Sequence, residues 1–218
     1  MTALIPNRLL FDVEFPLCER QRPPAFDPEL SDWTDELRLP DLCELDGQAP
    51  FAPVYACWNS DGLHIATRVT GKRSPLRCEA ATFWRGDNLR ICTNMRPARD
   101  VKRATRFCQQ FYLMPRGGGS DGRQPIGGGA KLQRAKEDAP VASADRIEVQ
   151  SNVERDGYAL QAHLPADVLF GFDPDEHPRI GFYYMLEDAD YGQQFLTVGD
   201  DLYWYIDPST WATAALRG

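Results

Sequence analysis

The chain has 218 residues, 43% of them hydrophobic and 11% aromatic, enough apolar material for a sizeable core, which excludes a disordered chain. A formal net charge of −8 disfavours phosphate backbones and anionic lipid, so neither a nucleic-acid nor a membrane partner is expected. No apolar run reaches the roughly 18 residues that a spanning helix needs.

In chain order, the segment Met1 to Phe11 lacks an apolar signal core and a cleavage site, so a cytoplasmic chain is expected. Alternation of apolar and polar residues in Phe11 to Phe15 predicts a first strand, which Arg22-Pro23-Pro24 ends. Leu30 to Trp33 reads as a turn delivering a tryptophan to the core. The stretch 37–45 reads as a strand carrying a proline, hence an edge or a bulge. Pro53 to Trp58, the turn Asn59 to Gly62 and Leu63 to Val69 make a hairpin with a four-residue loop. On its second strand Leu63, Ile65, Thr67 and Val69 share one face, and His64, Ala66 and Arg68 the other.

Leu89 to Thr93 and Phe107 to Met114 alternate in the same way. Residues 115–130 hold seven glycines and read as a long flexible loop, and 131–140, polar and charged, extends it into an insert over about 115–140. Ile147 to Val153, the turn Asp156-Gly157 and Tyr158 to Leu164 form a second hairpin. Pro165 to Leu169 suggests one helical turn, and Arg179 to Leu186 and Gln194 to Val198 are further strands. Many short strands with a turn about every ten residues predict one all-β domain over 1–218, an antiparallel β-sandwich of jelly-roll or immunoglobulin-like type.

The chemistry-bearing residues are sparse. The six cysteines form no C-x-x-C pair and the three histidines are isolated, so reduced structural cysteines are expected and no zinc site. There is no G-x-S-x-G and no H-E-x-x-H, and the glycine-rich GGGSDGR and GGGAK lack the order of a phosphate-binding loop. No catalytic residue is therefore assigned. The carboxylates Glu187, Asp188 and Asp190, and Asp200 with Asp201, fit a solvated loop, a structural calcium or an acid/base pair. The aromatic residues are more telling. Trp84 precedes the polar turn Arg85-Gly86-Asp87, and Trp204 follows two aspartates. A ring beside a turn is a contact candidate, whereas Trp33, Trp58 and Trp211 read as core.

Six stretches, in order, resemble the family 9 carbohydrate-binding modules and their DOMON-like relatives over about residues 27–216. They are Phe26 to Trp33, Val54 to Val69, Trp84 to Ile91 (similar to W-x-x-D-x-[VL]-E-[IL]), Gly157 to Pro165, Ile180 to Asp190, and Asp207 to Trp211. The resemblance implies a non-catalytic sandwich in which two aromatics hold a saccharide: Trp84, and Trp204 or Tyr205. Asp87 and Arg90 then lie nearby. Arg90 stands where the family motif has Glu, Phe111 to Met114 is apolar where sugar-binding members are polar, and Ala212 replaces a closing Gly. The expected ligand is thus a saccharide or another small molecule. The alternatives are a sandwich repurposed for a protein partner and an accessory to a glycoside-active enzyme.

Overall fold

The computed structural model describes residues 11–97 and 102–218. The segment 1–10, on which the signal-peptide reading rests, lies outside the described residues. Two sheets pack face to face. The larger runs β1 (Glu14–Cys18), β11 (Ala212–Arg217), β9 (Arg179–Asp188), β4 (Asn88–Asn94), β5 (Cys108–Gly118) and β6 (Gln124–Ala130), with β10 (Gly192–Phe195) also paired to β9. The smaller runs β2 (Val54–Asn59), β3 (Gly62–Thr70), β8 (Gly157–Pro165) and β7 (Glu148–Val153). All pairings are antiparallel except β1 with β11. Among the described residues there is no α-helix, only short 3-10 turns.

The period of two assigns the faces. Leu63, Ile65 and Val69 of β3 and Leu160 and Leu164 of β8 meet Leu89 and Ile91 of β4, Phe111 and Leu113 of β5, and Phe182 and Leu186 of β9 in the main core. The opposite face of the small sheet carries a second apolar cluster. There Leu30, Trp33 and Leu37 cover Cys57, Ala66 and Ala159.

Several expectations need correction. The first strand starts later, at Glu14, where Phe15 and Leu17 supply buried positions on an edge that tolerates Pro16. The stretch 37–45 is no strand. It makes only a bridge from Arg38 to Tyr55 and a Leu39 N–H bond to Val54 O before Pro40, which has no donor, and a 3-10 turn at Leu42–Asp46 follows. The first hairpin is tighter than expected, because Asn59 pairs directly with Gly62 and leaves a two-residue loop. The closing strand β11 was not foreseen at all.

The largest correction concerns residues 115–130. They are not a flexible loop but the end of β5, a turn, and β6. The glycines of β6 are there because neighbours press on them. A Cβ at Gly127 would lie 2.8 Å from Ile147 and Val149, at Gly128 2.6 Å from the Tyr112 hydroxyl, and at Gly129 2.6 Å from the Ala142 nitrogen. Residues 131–140 form an irregular loop without a helix, fastened by Lys136 N–H to Ala104 O and by Lys131 to Asp138. None of the six cysteines is joined in a disulfide.

Candidate ligand-binding cleft

The outer face of the large sheet carries the site. The register aligns Arg90 with Tyr112 and Met185, Cys92 with Gln110 and Tyr183, and Asn88 with Glu187, so these side chains share the face turned away from the small sheet. Tyr112 in turn pairs with Gly128, across which its ring lies. Gln193 of β10 is aligned with Glu187.

Part of this face is roofed by the segment 196–211. Tyr203 takes a left-handed backbone (φ 54°), and Trp204 turns inward to stack on Tyr183 at 4.8 Å. The indole N–H of Trp204 donates to Asp200 Oδ1 at 2.8 Å, and its carbonyl accepts from Trp211 Nε1 at 2.9 Å. The indole N–H and the carbonyl of Trp204 are thereby satisfied, so burial of the ring strands no side-chain donor. Arg90 lies over the same ring, its Cζ 5.2 Å from the centroid.

The rest of the face is open as a cleft of about 740 Å³. Phe83 and Trp84 enter it from the loop between β3 and β4, Tyr112 from β5 and Tyr205 from the roof. Phe83 stacks on Tyr112 at 4.4 Å, and Trp84 meets Phe83 edge-on at 5.3 Å. Trp84 is 48% exposed, and of the five tryptophans only this one is. The polar lining consists of Arg90, Gln110, Lys131, Gln133, Glu187, Gln193 and Asp200. Arg90 donates to Glu187 Oε2 at 2.6 Å, while its buried Nε finds no partner. Burial pushes Glu187 above the usual glutamate range, against the pull of Arg90. Burial likewise raises the Tyr112 phenol.

The candidates expected from sequence therefore separate. Trp84, Arg90 and Tyr205 come together in the cleft. Trp204 and Asp87 do not reach it, and both are completely buried. Asp87 is instead a structural carboxylate beneath the cleft's edge. It accepts from Lys72 Nζ at 2.6 Å, from Arg77 N–H at 2.6 Å and from Ala189 N–H at 3.1 Å. Asp188 accepts from the same ammonium at 2.6 Å, and Asp190 lies 3.9 Å from it. Two of the carboxylates weighed as a calcium site thus surround a cation of the chain's own. Burial opposes the charge on Lys72, but its bonds to Asp188 and Asp87 outweigh this and raise its pKa. Asp190, bonded by Ser74 and by the backbone at Arg73 and Ser74, is held down to about 2.

Sequence reasoning missed Gln110, Gln193, Tyr112 and Phe83. The available signal was the Gln109-Gln110 pair inside an otherwise apolar strand. Gln109 points inward and is consumed by Val168 O and Phe170 N–H, which leaves Gln110 for the cleft.

No protein-family model matches the chain, nor does any curated protein sequence. Solved structures do. A family 9 carbohydrate-binding module from Caldicellulosiruptor kristjanssonii in complex with glucose superposes with a TM-score of 0.61 over 94% of this chain and 96% of that one, at 11% identity. The module described in complex with cellotriose gives 0.59 over 94% of each chain, also at 11% identity. At such identity the likeness shows the fold: the sandwich is that of family 9 carbohydrate-binding modules.

Proposed function

We propose that the protein binds a neutral saccharide, without cleaving it, in the cleft on the outer face of the large sheet. The observation that carries this reading is Trp84, a large ring left half exposed at the mouth of a cleft with a polar floor. A pyranose presents an apolar face and a rim of hydroxyls. An indole or phenol ring covers the first with few rotors to freeze, and amides and carboxylates bond the second. Trp84 and Tyr205 supply rings, and Gln110, Gln193, Glu187 and Asp200 supply donors and acceptors. The cations in the lining are already used, Arg90 by Glu187 and Lys131 by Asp138. That leaves no unpaired positive charge for an acidic ligand. The neutral glucose and cellotriose of the two similarly folded modules support the same class.

The test is a calorimetric and fluorescence titration with glucose, xylose, and β-1,4-linked oligosaccharides of both. Binding of at least one neutral saccharide, with quenching or a blue shift of Trp84 emission that Trp84→Ala abolishes, is expected. No response to any of them at millimolar concentration overturns the reading. Glu187 and Asp200 share the cleft, and a raised glutamate suits a general acid. Release of reducing ends during the same incubations would therefore replace binding with hydrolysis.

A further inference from the structure

The Lys72 cluster lies outside the cleft, yet both of its carboxylates lead into it. Asp87 closes the neck of the loop that carries Phe83 and Trp84. Its side chain accepts from Arg77 N–H at 2.6 Å, and its own N–H donates to Arg77 O at 2.8 Å, so residues 77 and 87 are clasped twice. Gly86 at the neck has φ +87° and leaves no room for a Cβ against Arg77 O. Asp188 directly follows the cleft residue Glu187, and its second oxygen receives the N–H groups of Asp190 and Tyr191. Asp190 receives those of Arg73 and Ser74, next to Lys72 itself. One ammonium, only 2% exposed, therefore ties together the loop that bears Trp84 and the strand end that bears Glu187.

That charge offsets a repulsion. Two buried carboxylates at hydrogen-bond distance from one point repel each other, and burial itself has already raised Asp87. Backbone donors cross between the segments as well, Ala189 N–H to Asp87 at 3.1 Å and the N–H groups of Arg73 and Ser74 to Asp190, but Lys72 is the charge that bonds Asp87 and Asp188 at once and offsets their repulsion.

We propose that Lys72 is a positioning residue for the cleft: its buried ammonium sets the 77–87 loop, and with it Trp84, against the β9 end carrying Glu187. The inference rests on the saccharide reading for its consequence, but its geometric content is separate.

The experiment exploits the burial of Trp33, Trp58, Trp204 and Trp211, which leaves Trp84 as the ring that a soluble quencher reaches. Two full-length variants are made: Lys72→Met, and Lys72→Met with Asp87→Asn and Asp188→Asn. The second removes the buried charges altogether and keeps the fold if the first does not. In whichever variant retains cooperative melting and native near-UV dichroism, iodide quenching of Trp84 is expected to change. Affinity for the best saccharide should fall by roughly tenfold or more, the scale of a displaced aromatic anchor. Native quenching in a folded variant overturns the proposal whatever the affinity does. If the parent protein binds no saccharide, the functional reading fails, and the quenching result still decides the role of Lys72.

Discussion

The two outer faces of the sandwich received the same kind of side chain and treated it in opposite ways. On the small sheet Trp33 is buried in an apolar cluster, its ring tilted against Tyr55 and its indole N–H donated to Gln161. On the large sheet Trp84 stands half exposed over a cleft. The difference is the surface beneath. Cys57, Ala66 and Ala159 are small and apolar, so a loop can close on them and gain area. Arg90, Gln110 and Glu187 are polar or charged, and covering them with apolar side chains would strand groups that need hydrogen bonds. A tryptophan in a turn thus becomes buried or exposed according to the face it meets.

The largest effect is expected on the sealed side. Trp33→Ala empties the middle of the second cluster and should lower stability by about 3–5 kcal/mol. Denaturant melts would measure it. A loss near that of an exposed residue would mean that the cluster is a loosely docked loop, and the contrast would collapse.

The sealed side should also carry an acid sensitivity. His64 stacks on His163 at 4.5 Å, and burial, then His163, hold its pKa down to about 4. The unfolded chain takes up the proton near pH 6.5 and the folded chain resists it. The contribution of His64 is therefore complete above pH 6.5 and is lost as the pH falls toward 4. The full span is worth at most about 3 kcal/mol. Melting temperature against pH for the parent and His64→Gln should diverge through this window, the parent losing stability faster. Parallel curves would show that the histidine protonates freely in the fold.

These contrasts were unequally legible in the sequence. The hairpins over 54–70 and 148–165 were plain because one face is buried and branched residues alternate with others. The strand β11 was hidden because Ala212, Ala214 and Ala215 are buried yet too small to raise an apolar contrast. The strand β6 was hidden more deeply. Seven glycines over 115–130 resemble a linker unless one knows that Ile147 and Val149 press on Gly127 and Tyr112 on Gly128, and those contacts come from residues distant along the chain or on another strand. The same holds for the site. Trp84 and Trp204 both flank polar turns, and nothing local announces that Tyr183 awaits one of them and open cleft the other. Asp87 was noticed for its motif, but its partner Lys72 stood in no pattern at all.

A smaller effect is expected from the floor of the open side. In Gly128→Ala the new methyl meets the Tyr112 ring at three atoms, from 2.6 to 2.8 Å. A ring cannot yield like the tip of a flexible chain, so Tyr112 must move as a body and Phe83, stacked on it, with it. The expected cost is about 1–2 kcal/mol in stability, together with weakened saccharide binding. Gly122→Ala, in the turn of the same hairpin with nothing within 4 Å of its Cβ but φ +68°, controls for backbone strain without touching the cleft. If both variants behave alike, the glycines of β6 serve chain flexibility and not the floor.

The smallest stability effect belongs to the residue most important to the proposed function. Trp84 touches Phe83 edge-on and is otherwise half in solvent, so Trp84→Ala removes little buried area. Its melt should fall within about 0.5 kcal/mol of the parent, the ordinary range for exposed positions. In the proposed function, a ring that size at a surface it does not stabilise serves to meet the ligand. The prediction is therefore a dissociation between two measurements on one variant: near-native melting with lost saccharide binding. Trp33→Ala should show the reverse at temperatures where it remains folded, large destabilisation with binding intact. Should Trp84→Ala instead destabilise the fold as Trp33→Ala does, the exposed ring is part of the packing of the 77–87 loop, and the cleft has one stacking platform fewer than its geometry implies.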